Sequence, residues 1–195
     1  HFYESFLREY DAEKKAKRGV FYTPDPVVSF IVRSVDYLLR KEFGCKDGLA
    51  TVADKKGDFD IQVLDPATGT GTFLKYVIEQ IYDTFQTKHK NKSAAERKKM
   101  WNEYVPKHLL PRLYGFELMM APYAVAHMKL GLTLKHTEYD FNSDERLRLY
   151  LTNALKSVYQ IPRTDTPFLD IEAEEANNLK SNVPITVIIG NPPYA

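Results

Sequence analysis

The chain has 195 residues, of which 44% are hydrophobic and 27% are charged, and its net charge at pH 7 is +1. This length and composition are typical of one globular domain and exclude wholesale disorder. The near-neutral charge excludes a protein that binds nucleic acid through its overall charge, so any such contact depends on local basic patches or on further chain.

The cysteine, histidine and hydropathy patterns argue against disulfide-bonded, metal-binding and membrane proteins. Cys45 is the single cysteine, so an internal disulfide is excluded, and no Cys/His cluster has the spacing of a metal site. No run approaches the roughly 18 apolar residues of a membrane span, and no signal peptide is visible. We therefore expect a cytoplasmic protein without metal or membrane contact. Because the chain begins at His1 rather than Met, we also expect an interior piece of a longer protein.

The first third of the chain predicts two helices. Residues 1–17 are typical of a short amphipathic helix, and a Gly- and Pro-bounded loop follows over 18–24. A stronger helix comes next, with Asp25 as the expected N-cap and Pro26 as its first residue. Its apolar stripe extends to about Phe43 and comprises Val28, Ile31, Val32, Val35, Leu38 and Leu39. A polar loop over 44–60 separates this helix from the rest.

Four short strands are predicted in the remainder, over residues 61–64, 113–116, 146–151 and 185–189. The helices between them include one starting near Thr72, one opened by a capping box from Ser93 to Glu96, and one with Pro122 near its start. Residues 160–183 are polar and acidic, and we predict a surface insertion there. Strands that alternate with helices predict a parallel sheet with right-handed crossovers.

A polar residue follows or ends each predicted strand. These residues are Asp65, Glu117, Asn153 and Asn191. In an open α/β sheet, ligands bind beyond the carboxyl ends of the strands. The pattern therefore predicts one shared crevice at that edge of the sheet.

The turn over residues 65–71 contains Gly69 and Gly71 and leads into a helix. Glycines allow backbone N–H groups to approach a ligand closely, and a helix N-terminus favours an anion. A nucleoside-triphosphate loop is excluded because the Gly-Lys-Ser/Thr sequence is absent, and a dinucleotide fingerprint is disfavoured because Leu74 occupies its third glycine position. The turn indicates a single carboxylate as the anion, and a strand-to-helix turn without a ligand remains the alternative.

The last predicted strand leads into Asn191-Pro192-Pro193-Tyr194. The two prolines end the strand and hold the residues before them extended. The Asn191 amide and the Pro192 carbonyl are then two acceptors side by side, with the Tyr194 ring next to them. This arrangement suits a planar group with an exocyclic amine, and a plain strand-to-loop exit is the alternative.

Four further residues have open interpretations. Glu117 is suited to accept both hydroxyls of a ribose, or it is a solvated carboxylate at a strand end. Asn153 either bonds the edge of an adenine ring or forms a simple turn. Tyr22 and Thr23 either pack over a cofactor or act only as a hydrophobic staple and cap.

Four sequence motifs together resemble those of the amino-methylating DNA methyltransferases of restriction–modification systems. They occur in the same order, as residues 18–24, 65–73, 115–117 and 191–194. The Phe-Tyr-Thr-Pro segment ahead of the glycine turn resembles the adenine-N6 class. The opening of the chain resembles the methyltransferase region of large single-polypeptide enzymes that join a nuclease, a translocase, a methyltransferase and a target-recognition domain.

The resemblance implies S-adenosylmethionine as cofactor and assigns residues to it. The glycine turn would hold the methionine part (Asp65, Pro66, Ala67, Thr68, Gly69 and Gly71), and the preceding loop would close over it (Phe21, Tyr22 and Thr23). Glu117 would hold the ribose and Asn153 the adenine amine, although the family often has Asp at that position. Asn191 and the Pro192 carbonyl would bind the N6 amine of a flipped adenine, with Pro193 completing the motif and Tyr194 stacked on the base.

The implied fold is the Rossmann-like class I methyltransferase fold, a parallel sheet with flanking helices, here incomplete at its C-terminal side. Residues 1–23 would form an N-terminal helix and cofactor-covering loop, and residues 24–195 the cofactor-binding half of the domain. The implied partners are double-stranded DNA and further domains of the same polypeptide.

Two rival functions remain. Methyltransferases that act on a protein glutamine amide also use Asn-Pro-Pro-Tyr, because a carboxamide is likewise a planar and weakly nucleophilic amine. The Phe-Tyr-Thr-Pro segment argues against this rival. The second rival is a cofactor-binding or docking fragment that is inactive alone.

Overall fold

The computed structural model of the chain describes residues 23–53, 61–155 and 167–193. The predicted helix over 1–17, Phe21, Tyr22 and Tyr194 lie outside these ranges. Within them, the regular elements are α1 (Asp25–Glu42), β1 (Val63–Asp65), α2 (Thr72–Lys88), α3 (Ala94–Tyr104), β2 (Leu113–Glu117), α4 (Met120–His136), β3 (Arg148–Leu151), α5 (Pro167–Asn182) and β4 (Val187–Ile188). None of the helices in the described ranges is long and apolar enough to cross a membrane.

The four strands form one parallel sheet in the order β3-β2-β1-β4. Val63 is paired with Leu113 on one side and with Val187 on the other, so β1 is central. This arrangement confirms the predicted parallel sheet. It also places the carboxyl ends of all four strands at the same edge, because parallel strands end on the same side.

Successive strand residues alternate between two cores, as the period of a strand requires. Val63, Leu113 and Leu149 pack with buried residues of α1, α2, α3 and α4 on one face. On the other face, Ala176 and Leu179 of α5 cover the side chains of Leu64, Tyr114, Phe116 and Tyr150. The sheet is therefore covered by helices on both faces, which is the usual condition of a parallel sheet.

The predicted surface insertion over 160–183 is wrong for most of its length. Residues 167–182 form α5, and Glu172 of this helix is only 1% exposed. Its carboxylate accepts hydrogen bonds from the Tyr123 hydroxyl at 2.6 Å and from the Leu151 N–H at 3.0 Å. These bonds compensate the burial of a polar group and attach α5 to α4 and β3.

Smaller differences concern the ends of the elements. Pro24, rather than Asp25, occupies the N-cap position of α1, and its carbonyl accepts from the N–H groups of Val27 and Val28. Leu38 was assigned to the buried stripe but is 48% exposed. The strand predicted over 61–64 begins later and ends at Asp65. The Ser93–Glu96 capping box is confirmed, with both of its hydrogen bonds present.

Candidate active site

The turn after β1 is closed by its own hydrogen bonds and by one bond to β2. The Thr68 N–H donates to the Phe116 carbonyl at 2.9 Å, and the Gly71 N–H donates to the Thr68 carbonyl at 2.8 Å. Gly69 and Gly71 have φ values of 55° and 80°, a region that favours glycine. A Cβ on Gly71 would lie 3.3 Å from that of Ala126, so the start of α2 packs closely on α4. The turn thereby aims the N-terminus of α2 at the edge where the strands end.

Glu117 joins this turn to the end of β2. Its carboxylate accepts from the Gly69 N–H at 2.8 Å and from the Met119 N–H at 2.8 Å. Burial raises the pKa of Glu117, and the N–H groups of Met119 and Gly69 partly oppose that rise. The structure thus brings together two of the predicted cofactor-binding features, the glycine turn and Glu117.

Asp65 is the most buried charged group of the site, at 0% exposure. One carboxylate oxygen, Oδ1, accepts from the Ala67 N–H at 3.0 Å. The other, Oδ2, has no hydrogen-bond partner among the described residues. Burial raises the pKa of Asp65 to about 7; the Ala67 N–H opposes the rise and the charge of Glu117 adds to it. An orphaned buried carboxylate oxygen is costly, so this position fits a ligand that carries a positively charged donor.

The Asn-Pro-Pro segment lies beside the same turn. Ile189 continues the pairing with β1, since its N–H donates to the Leu64 carbonyl at 3.0 Å. A Cβ on Gly190 would come within 2.6 Å of Asp65 Oδ1, so the backbone at Gly190 packs directly on the Asp65 side chain. Asn191 is half-buried, and its Nδ2 donates to Thr23 Oγ1 at 3.0 Å. Pro192 and Pro193 are exposed.

Asn153 follows the end of β3 and lies near Glu117 at the end of β2. The N–H of the preceding residue, Thr152, donates to the Glu117 carbonyl at 2.8 Å. Its side-chain oxygen accepts from the Leu155 N–H at 2.9 Å, as in an Asx turn. Its backbone carbonyl accepts from Lys180 Nζ at 2.8 Å. The contact of Asn153 with an adenine ring stays a prediction.

Three residues of the site were not assigned a role from the sequence. Gly190 separates the last strand from Asn191. Its position between a strand and a Pro-Pro pair could have indicated from the sequence that the backbone there packs closely on a neighbour. Leu118 is 67% exposed directly after Glu117 and presents an apolar surface at the site. Lys129 on α4 donates to the hydroxyls of Thr70 and Thr72, at 2.9 and 3.1 Å, and so supports the turn. No local pattern links Lys129 to a turn that lies so far from it in sequence.

Among the residues that the structure describes, no group of three or more His, Cys, Asp and Glu side chains is arranged to hold a metal ion. The polar features at the strand ends are instead backbone N–H groups, carboxylates and the Asn191 amide. Such groups suit an organic ligand with several hydrogen-bonding positions.

The parallel sheet, the glycine turn and the acidic residue at the end of the neighbouring strand define a Rossmann-like α/β protein. The profile of the family described as N-6 DNA Methylase matches residues 1–195, and the chain belongs to this family. A search of curated proteins finds no match.

Three similar solved structures are all complexes with DNA or a DNA mimic. The matching chain of a DrdV–DNA complex is 28% identical in sequence, with a TM-score of 0.66. The match covers 100% of this chain and 16% of the DrdV chain. The Type ISP restriction–modification enzyme LlaGI, as a nuclease-deletion mutant with a DNA substrate mimic, is 27% identical with a TM-score of 0.66, over 99% of this chain and 14% of its own. The ATP-dependent Type ISP restriction–modification enzyme LlaBIII, bound to DNA, is 27% identical with a TM-score of 0.69. The match covers 100% of this chain and 12% of the LlaBIII chain. The chain therefore spans less than one fifth of the length of these proteins.

Proposed function

We propose that the chain is the cofactor-binding and catalytic-motif part of an adenine-N6 DNA methyltransferase within a multidomain restriction–modification enzyme. One observation carries the proposal: the glycine turn, the orphaned Asp65 carboxylate, Glu117 and the Asn191-Pro192-Pro193 segment meet at the carboxyl ends of adjacent parallel strands. The family match and the DNA-bound neighbours support adenine in DNA as the substrate. Because the chain covers only a small share of each neighbour, we also propose further domains of the same polypeptide, including one for target recognition.

The residues present fit S-adenosylmethionine, which this family generally uses. The orphaned Oδ2 of Asp65 suits the ammonium group of the methionine part, because a buried carboxylate needs a charged donor. The N-terminus of α2, which follows the turn, suits its carboxylate. Glu117 would accept from the ribose, and the exposed Leu118 beside it offers an apolar surface to the adenine ring.

S-Adenosylmethionine, when bound, supplies a methyl group on a sulfonium sulfur. The chain's own contribution is to hold the nucleophile. The N6 amine of adenine is a weak nucleophile because its lone pair is delocalised into the ring. It gains positive charge as it attacks the methyl group. Asn191 Oδ1 and the Pro192 carbonyl would accept the two N6 hydrogens, and preorganised acceptors stabilise that charge more in the transition state than in the ground state. A neutral Asn does this without a general base or a covalent intermediate.

The target base must leave the duplex stack, which costs a few kcal/mol. Stacking of the base on Tyr194 would offset part of that cost. The direct test of the proposal is the detection of N6-methyladenine in DNA from cells that carry the full-length protein, with the Asn191→Ala variant as the negative control. Methylation of a protein glutamine in place of adenine, or no methylation at all, would reject it.

Substitution of Glu117 tests the cofactor site. Glu117→Ala in the full-length protein is expected to weaken S-adenosylmethionine binding by roughly 1–3 kcal/mol, because charged hydrogen bonds to the ribose are lost. The Gly69 N–H also loses its acceptor. Isothermal titration calorimetry measures the affinity, and Glu145→Ala, at an exposed acidic residue, is the matched control. Equal affinities of the Glu117 variant and the wild type would remove this residue from the site.

The raised pKa of Asp65 predicts that cofactor affinity depends on pH. Below about pH 7 the carboxyl of the free protein is protonated, and it must lose that proton to pair with an ammonium group. Affinity is therefore expected to rise with pH, by roughly tenfold between pH 5.5 and 7.0, a range in which an α-amino group keeps its charge.

The Asp65→Asn variant is the control for this pH profile. It should bind more weakly at pH 7 and show little change over the same range, since Asn does not titrate. Calorimetry in two buffers of different ionisation enthalpy would also detect the proton released on binding. A wild-type affinity that is flat from pH 5.5 to 7.0 would contradict the pairing.

A further inference from the structure

An apolar stripe runs along the outer side of α1, and no element in the described part of the chain covers it. Its members are spaced three or four residues apart, so they share one side of the helix: Val27, Phe30, Ser34, Tyr37 and Leu38. The four large side chains are 46–64% exposed. Ser34 does not interrupt the stripe, because its hydroxyl donates to the Phe30 carbonyl within the helix at 2.8 Å. The opposite side of α1 packs into the core, so this helix is apolar on two sides.

The adjacent helix α2 has the usual pattern of a surface helix. Its outward side carries an ion pair between Lys75 and Glu79 at 3.4 Å, and none of its large hydrophobic side chains is exposed. A helix with one apolar face buries that face and leaves its polar side in water. The second apolar side of α1 therefore indicates a contact surface.

We propose that residues 1–17 of this chain form the helix that packs on the α1 stripe, antiparallel to α1. This segment is predicted to be amphipathic, and five large apolar side chains share one of its sides: Phe2, Tyr3, Phe6, Leu7 and Tyr10. The lengths match, because at 1.5 Å per residue the segment extends about 25 Å and the 18 residues of α1 about 27 Å. Residues 18–22 alone join the segment to Thr23, and short connections join antiparallel neighbours. This inference does not depend on the proposed function.

The charges beside the two stripes favour the antiparallel direction. Arg33 is exposed at the margin of the α1 stripe, where its Nε donates to the Ser29 carbonyl at 3.2 Å, and no described carboxylate forms an ion pair with it. Glu9 lies eight residues before Lys17, and Arg33 lies eight residues after Asp25. With the end of the segment beside the start of α1, Glu9 is therefore level with Arg33. Helical periodicity also places Glu9 on the same margin as Arg33 in the antiparallel arrangement, and on the opposite margin in a parallel one.

α4 carries another exposed apolar surface, which includes Met128 and Leu132 at 61% and 50% exposure. Residues 18–22 lead directly towards α1, whereas α2 lies between α1 and α4. The α1 stripe is therefore the surface next to the segment, and the α4 surface provides the comparison for the test.

Cysteine cross-linking in the full-length protein tests the contact. Leu7→Cys is combined with Ser34→Cys, which is nearly level with it in the antiparallel arrangement, and the two are treated with a bismaleimide that spans about 10 Å, the separation of packed helix axes. Mass spectrometry of the digested protein should find the peptide with residue 7 linked to the peptide with residue 34. Leu7→Cys combined with Met128→Cys is the matched control and should give no such link.

Mixing isotopically labelled and unlabelled protein separates a link within one chain from a link between two copies. Links confined to one chain are expected. A link between copies would assign the stripe to self-association, and a link at residue 128 in place of residue 34 would assign the segment to α4. Either result, or no link at residue 34, would overturn the proposal.

A charge on the stripe gives a second measurement. Phe30→Asp in the full-length protein should speed chymotrypsin cleavage after Phe6 by roughly tenfold or more, because cleavage follows the population in which the segment is undocked. Phe43→Asp, at a residue that is 70% exposed beyond the end of α1, is the control and should leave that rate unchanged. Equal cleavage of the Phe30 variant and the wild type would contradict docking on this stripe.

A charge exchange tests the direction of the helix pair. Glu9→Lys and Arg33→Glu should each speed the same cleavage, because each places like charges opposite one another. The double variant restores opposite charges and should be cleaved more slowly than either single variant. A double variant cleaved as fast as the faster single variant would reject the antiparallel arrangement.

Discussion

Asn191→Ala is expected to lower kcat for DNA methylation by about 10²–10³ while leaving the affinity for S-adenosylmethionine unchanged. This is the magnitude for loss of one preorganised hydrogen bond to a charge that develops in the transition state. The cofactor affinity should persist because the proposed cofactor contacts, at Asp65, Glu117 and the turn, are separate side chains and backbone groups.

The measurement combines single-turnover transfer of a tritiated methyl group to plasmid DNA with calorimetric titration of the cofactor. Asn142→Ala, at an exposed position away from the strand ends, is the matched control. The Asn191 variant should retain the wild-type melting temperature, because the residue is only half-buried. Near-normal turnover by this variant would reject the mechanism, whereas a loss of cofactor affinity would place Asn191 in the cofactor site.

The sequence was sufficient to predict the parts of the fold that depend on local patterns. Alternation of short apolar runs with amphipathic helices predicted the parallel sheet, and the glycines after Asp65 predicted the turn. Glu117 was found because it ends a buried strand. Since parallel strands end at one edge, these residues had to lie close together once the strand order was set.

The parts that were missed depend on contacts between distant residues. The stripe of α5 that faces the sheet includes Glu172 where a hydrophobic residue is expected, so its pattern resembles an exposed polar segment. The hydrogen bonds from Tyr123 and Leu151, together with an ion pair to Arg146 at 3.4 Å, make that position suitable for burial. The contact between Thr23 and Asn191 is likewise absent from any sequence pattern, since it joins opposite ends of the chain.

The short strand β4 leads to the remaining prediction, which concerns the 195-residue chain alone. Among the described residues β4 pairs only with β1, so its other side is an edge of the sheet that these residues form. Ile188 is in register with Leu64 on the face that α5 covers, yet it is 69% exposed. An apolar open edge recruits other chains, because its backbone N–H and C=O groups have no partners.

We therefore expect residues 1–195, expressed alone, to self-associate and to show no detectable methyl transfer. Transfer should fail because Asn191 directly follows this edge and needs rigid surroundings to hold its amide within about 0.5 Å of the productive position. Sedimentation velocity across a range of concentrations measures the association, and the tritiated-methyl assay measures transfer. Ile188→Lys should reduce self-association, since a charge on an edge strand disfavours pairing, whereas Lys92→Arg, at an exposed position far from the sheet, should not. A stable monomer that methylates DNA would show that the chain already contains a complete catalytic unit.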